Sequence, residues 1–297
     1  MVGTGGTKKR LLAAVLVAVF CGVTFCSNVL AQDEIVAPKP KAKRGVSIFT
    51  LGLGIRMFDY AEDLVAPDKS TEKGWLPSVH GSYEYVKPSK YYFKVFGEYA
   101  SANITYDGST QDGTPVSFDN SRNAILQVEA DAGVIFDVTT NFHLIPYTGL
   151  GFKYWQRGEA QTTNRVASYR EDYSWAYVPV GVKFSVPIAK NWNLGGTAAA
   201  HIMFAGKMTA KMSDAIPGWS DMSFDLGAKM GWYFDLPLTY RASRDVCVSV
   251  TPFYEVSSIG KSNEVPAVVN GVNIGTAYEP ASNTKQYGLR IGVSMTF

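Results

Sequence analysis

The sequence is poor in cysteine, in long apolar runs and in histidine, and each scarcity narrows its function. There are three cysteines, and two of them, Cys21 and Cys26, fall in the first 31 residues. Cys247 alone follows, so no intrachain disulfide can form in that remainder. After the N-terminal segment no apolar run approaches the roughly 20 residues that a spanning helix needs. A membrane could therefore be crossed only with strands. No basic cluster occurs beyond about residue 45, which argues against a nucleic-acid partner. The histidines are His80, His143 and His201.

The N-terminus is read as an address. Lys8, Lys9 and Arg10 precede an apolar run from Leu11 to Phe25, and Val29 and Ala31 supply the small residues of a cleavage site. This is the pattern of a secretory signal peptide over 1–31, cut after Ala31. Its loss leaves 25 basic against 26 acidic residues, a formal charge of −1. Residues 32–45 hold Pro38, Pro40 and four basic residues without periodicity, and read as an extended periplasmic tail.

From Val46 to Phe297 one theme repeats ten times, an alternation of apolar and polar residues with the period of a β-strand. The segments are 46–58, 75–86, 91–104, 124–136, 142–155, 173–186, 192–206, 221–234, 246–257 and 286–297. Their apolar faces carry no ionisable Asp, Glu, Lys, Arg or His. The opposite faces carry six bases, Arg56, Lys94, Lys153, Lys183, Lys229 and Arg290. They also carry six acids, Glu84, Glu98, Glu129, Asp131, Asp225 and Glu255.

The connections alternate in length. Long intervals at 59–74, 105–123, 156–172, 207–220 and 258–284 separate short ones at 87–90, 137–141 and 187–191, with a somewhat longer one at 235–245. An even strand number, short turns at one end and long loops at the other describe an outer-membrane barrel. The expected fold is therefore all-β: a ten-stranded antiparallel transmembrane β-barrel with short periplasmic turns and long external loops. Interfacial rings are expected from Tyr83, Tyr85, Trp192, Trp232, Phe234 and Phe297 at the periplasmic ends. Trp75, Tyr154 and Tyr287 would serve at the external ends.

Inside so narrow a barrel, balanced charges should pair into a polar plug, with a narrow small-solute pore as the alternative. A rim hydrolase is disfavoured, because none of the three histidines falls beside an acid in an external loop. No catalytic, cofactor or metal residue is expected; the segment 107–113 looks like a calcium loop but has the wrong ligand spacing. Trp155, Tyr173, Trp175 and Tyr177 should converge near Arg157, Arg165 and Arg170. They form either a mouth that binds sugar or lipopolysaccharide head groups or a simple aromatic packing.

Two resemblances add to this reading. Tyr287, Leu289, Ile291, Val293, Met295 and Phe297 form an alternating stretch that resembles the C-terminal signal read by the outer-membrane assembly machinery. The stretches 146–155, 169–173 and 177–181, with 106–109, resemble a family of largely uncharacterised proteobacterial outer-membrane β-barrel proteins. The resemblance implies a fold, a bacterial outer-membrane location and contact with lipid and lipopolysaccharide. It implies no substrate, and the ligand of the loops is left unassigned.

Overall fold

A computed structural model describes residues 45–297 except 89, 111–112, 160 and 164–165, and gives the backbone alone at 161–163 and 166–167. The expected signal peptide, the expected tail up to residue 44 and Arg165 lie outside the described residues.

Ten staves close into one antiparallel barrel. Their strands are β1 (Val46–Glu62), β2 (Ser70–Lys87), β3 (Tyr91–Ser109), β4 (Pro115–Val134) continued by β5 (Phe136–Thr139), and β6 (Phe142–Arg157). A loop hairpin of β7 (Gln161–Thr163) and β8 (Val166–Ser168) precedes β9 (Arg170–Ala189) and β10 (Trp192–Lys211). The eighth stave is broken into β11 (Met222–Leu226), β12 (Met230–Asp235) and β13 (Leu238–Arg241). β14 (Val246–Ile259), a second loop hairpin of β15 (Val265–Val269) and β16 (Val272–Ala277), and β17 (Ser282–Thr296) complete the chain. Each stave pairs with its neighbour in sequence, and β17 returns to pair with β1 from Ile48↔Thr296 to Glu62↔Ser282. Closure leaves the sheet no free edge.

Along the middle of the staves the alternation puts large apolar side chains on the outside. Leu51 is 55% exposed, Leu150 58% and Ile202 48%. A continuous belt of such residues is tolerable only against hydrocarbon, where outward groups need no water. Rings edge the belt. Trp75 meets Tyr287 edge-on at 6.2 Å towards the long-loop end, and Trp192 meets Tyr240 at 4.9 Å towards the short-turn end.

Beyond the belt the staves continue and their polarity inverts. Much of the expected long loops is strand: β1 runs to Glu62, β3 to Ser109 and β4 starts at Pro115. The outward positions there are charged, with Lys73 3.1 Å from Asp59, Lys211 2.9 Å from Asp221, and Arg170 2.8 Å from Asp172. The inward positions are apolar: Phe58, Tyr60, Leu76, Ile104, Met208, Met222, Phe224, Leu226 and Ile259 form a buried core. The same wall therefore faces oil outside and charge inside at one level, then water outside and an apolar core inside at the next.

The eighth stave departs most from expectation. Met222, Phe224 and Leu226 are buried, although the alternation placed them outside, and Asp225 is exposed, although it was placed within. The break at 227–229 resets the phase, so Met230, Trp232 and Phe234 do face outward. Opposite the break β10 carries a register shift between Phe204 and Lys207, where Ala205 takes φ 49°. Lys229 stands exposed in the break itself, at the edge of the middle charged layer. A second break precedes β13, which extends the stave to Arg241 and shortens the following turn to 242–245. Trp232 consequently lies mid-wall and not at the end of its stave.

Candidate functional site: the filled lumen and the closed mouth

Inward side chains fill the lumen in layers. Nearest the short-turn end, Lys94 lies 3.3 Å from Glu84. Lys183 is 2.9 Å from Asp131 and donates to Tyr92 Oη at 2.8 Å. Glu84 and Lys94 are direct partners across β2 and β3, whereas Lys183 of β9 reaches Asp131 of β4 past the intervening β6. Lys183 also sits 4.4 Å from the Tyr147 ring centroid, a cation–π contact that shields its charge further.

The middle layer is more deeply buried. Glu98 forms ion pairs with both Arg56 and Arg290, while Ser78 donates to its other oxygen at 2.7 Å. Arg56 donates onward to Gln286 Oε1 at 2.9 Å. Across the lumen Lys153 pairs with Glu255, and His201 approaches Glu255 at 3.7 Å and Glu129 at 3.9 Å. Tyr177 donates to Glu129 at 2.6 Å and accepts from Gln127 at 2.8 Å. Its ring lies over Gly151, where an added Cβ would collide with it, so glycine is needed for the phenol to reach across. A cavity of about 10 Å³ lined by Lys153, Tyr177, His201, Lys229 and Glu255, among others, has the size of one water molecule.

These contacts draw together ten of the expected interior residues: Arg56, Glu84, Lys94, Glu98, Glu129, Asp131, Lys153, Lys183, Glu255 and Arg290. Asp225 and Lys229 are the two left out, for the backbone reasons given above. Stripping two opposite charges of water is costly, and only close geometry with further hydrogen bonds offsets that cost. In the middle layer Glu98 meets that condition, accepting from Ser78 and both arginines, whereas Glu255 Oε2 and Arg56 Nε are buried without a hydrogen-bond partner among the described residues.

A third layer, unanticipated from sequence, closes the long-loop end. Arg157 on β6 donates to Glu62 and Glu171 at 2.8 Å each, donates to Ser70 at 2.7 Å, and lies 3.6 Å from Glu72. Ser121 and Asn123 donate to Glu72 at 2.6 and 2.7 Å. Tyr173 contacts Glu279 at 2.6 Å and Glu171 at 3.0 Å. Burial, reinforced by Glu171 and Glu62, holds the Glu279 carboxyl well above the ordinary carboxylate range. Burial also raises Glu171, against the pull of Arg157.

Of the four expected mouth rings, Trp155 and Tyr173 belong to this closure, whereas Trp175 and Tyr177 line the middle layer beneath it. Trp155 stacks on Tyr173 at 4.7 Å, and Trp155, Tyr173, Trp175 and Tyr177 are all buried in the apolar core. Their faces are covered by protein, so no surface sugar reaches them in this conformation. Arg170 points outward to Asp172 and away from the rings. His143 pairs with Asp137 at 2.7 Å at the short-turn end, and His201 lies between Tyr177 and Tyr233 in the lumen. Among the described residues no group of three or more His, Cys, Asp or Glu has the geometry to hold a metal ion.

The third layer was legible in principle. Arg56, Phe58, Tyr60 and Glu62 share one parity on β1, as do Ser70, Glu72, Leu76 and Ser78 on β2. Following that parity past the point where the outer face turns polar would have found Glu62 and Glu72. Glu279 lies outside any strand and carries no such signal.

The fold has a known counterpart. The outer membrane protease OmpT from Escherichia coli superposes with a TM-score of 0.60 at 10% identity, covering 88% of this chain and 99% of that one. OprG from Pseudomonas aeruginosa gives a TM-score of 0.41 at 12% identity, covering 86% and 97%. Ail, the attachment invasion locus protein of Yersinia pestis, gives 0.31 at 11% identity, covering 86% and 99%. No family model and no curated protein matches the sequence. The likeness to OmpT is one of fold: a closed ten-stranded antiparallel barrel of the outer-membrane type.

Proposed function

We propose that the chain is an outer-membrane barrel of a Gram-negative bacterium that neither conducts nor catalyses. It holds its loops and the water-facing extension of its wall above the lipid, for a structural or interaction role at the cell surface. In this reading residues 1–31 are removed on export and the short turns face the periplasm. The belt contacts lipid and lipopolysaccharide, and the outward face of β17, from Tyr287 through Leu289, Ile291, Val293 and Met295 to Phe297, is what the assembly machinery reads.

One observation carries the proposal: the lumen is occupied twice over. The Arg56–Glu98–Arg290 and Lys153–Glu255 layer fills its middle, and the apolar core with Arg157 fills its long-loop end. A solute path would have to displace both paired charges and packed rings. Current recorded across a planar bilayer holding the refolded protein tests the reading. Silence supports it, and steady discrete openings refute it.

A further inference from the structure

The third layer brings two carboxyl groups onto one phenol. Tyr173 Oη lies 2.6 Å from Glu279 Oε1 and 3.0 Å from Glu171 Oε2. A phenol has one hydrogen, so two full hydrogen bonds here take a second proton, which a carboxyl group supplies. Glu171 is bonded to the Arg157 guanidinium, which favours its ionised form, whereas among the described contacts Glu279 faces no cation so closely. The proton belongs on Glu279.

Charge counting agrees. Glu279 is faced by Glu171 and Tyr173 from β9, Glu62 and Tyr60 from β1, Arg157 from β6, and Tyr169 from the preceding loop. With Glu72 of β2, three carboxyl groups lie within 4.0 Å of the one guanidinium, and Glu279 adds a fourth farther off. Fully ionised, they would leave a large negative excess in a region closed to water.

Glu279 also joins the two stems of a loop, which backbone bonds tie further to 218–220 and 225–227. Its backbone N–H donates to Ser262 Oγ at 2.8 Å, and Ser262 N–H donates back to its carbonyl at 3.0 Å. The two stems of the 260–281 loop are thereby joined at this residue. Between them rises the β15–β16 hairpin, turned at Asn270 and Gly271 with φ 49° and 79°. Ala267 on β15 is buried in the core that closes the mouth.

We propose that Glu279 is a proton-dependent latch that holds the 260–281 loop and its hairpin over the mouth. Protonated, its carboxyl shares the Tyr173 hydroxyl with Glu171; ionised, it is repelled by Glu171 and Glu62, and the loop lifts from Tyr173. The sign follows from linkage: a carboxyl whose pKa is raised in the closed form stabilises that form at low pH. The stabilisation declines as pH rises from the ordinary carboxylate value towards the closed-state one. Within that window one released proton raises the opening constant about tenfold per pH unit.

Hydrogen–deuterium exchange of residues 260–281 in the refolded full chain, followed from about pH 5 to about pH 9, reads this directly. Glu279→Gln keeps a neutral hydrogen-bonding group and cannot ionise. The ratio of wild-type to E279Q exchange at each pH cancels the base-catalysed chemistry common to both. The latch requires that ratio to rise with pH by at least about tenfold across the range while the wall strands stay protected. A ratio independent of pH overturns it. Should E279Q not fold, Tyr173→Phe serves instead: losing the shared hydroxyl should leave the loop poorly protected at every pH, and wild-type protection at low pH would refute the latch. The latch rests on the closed-mouth reading, yet the two fail separately. Current at acid pH would remove that reading, whereas a flat exchange ratio in a silent barrel would remove only the latch.

Discussion

Glu98 on β3 accepts two hydrogen bonds from Arg290 on β17, 3.1 Å from Nε and 2.7 Å from Nη2, although two staves stand between them. The pair runs across the lumen and not along the wall. Arg56 joins it from β1, so one carboxylate bridges two guanidiniums with almost no exposure to water.

Removing Glu98 should therefore be more damaging than removing either arginine. Glu98→Ala leaves two buried cations facing each other, and truncating one member of a buried pair costs about 3–5 kcal/mol. The unfolding midpoint in urea, measured on the protein in lipid vesicles, should fall accordingly. An unchanged midpoint would mean that the layer is hydrated and carries little energy.

The inverted phase of β11 makes two adjacent residues behave oppositely. Phe224 is 4% exposed and packed in the closing core, whereas Asp225 faces outward beside Lys207 of β10. Phe224→Ala should cost about 3–5 kcal/mol through the cavity it leaves. Asp225→Ala should stay within about 0.5 kcal/mol, as for a surface site away from special contacts. The reverse order would restore the uniform alternation and refute the phase reset.

Phe297 separates assembly from stability. Its side chain is 74% exposed, and its ties to the wall are backbone bonds with Ser47. Phe297→Ala should leave the urea midpoint of refolded protein unchanged and yet reduce outer-membrane insertion in cells, seen as loss of the heat-modifiable band from the membrane fraction. Equal insertion would deny the residue a part in recognition.

Most of the barrel was readable because lipid and water impose a period-two code that backbone geometry cannot blur. Ile55 and Arg56, or Glu129 and Ala130, show their sides without any tertiary knowledge. The code failed where its reference solvent changed. Past Met57 on β1 and Trp75 on β2 the outside is water, so Asp59 and Lys73 turn outward while Tyr60 and Glu72 turn in, and the alternation reads as loop. It failed again at Gly227–Lys229, because a phase reset depends on a bulge in the partner strand at Ala205. The partners of Arg157 come from β1, β2 and β9, and no local pattern announces such convergence.

The central claim is that the lumen is closed by paired charge and packed rings together. Single-channel recording at neutral pH tests it most directly, in bilayers where protease protection of the wall strands verifies insertion. Wild type should pass no current, and Glu98→Ala, having lost the bridge between Arg56 and Arg290, should show intermittent leak. Steady conductance by the wild type, unaltered in the variant, would contradict the account.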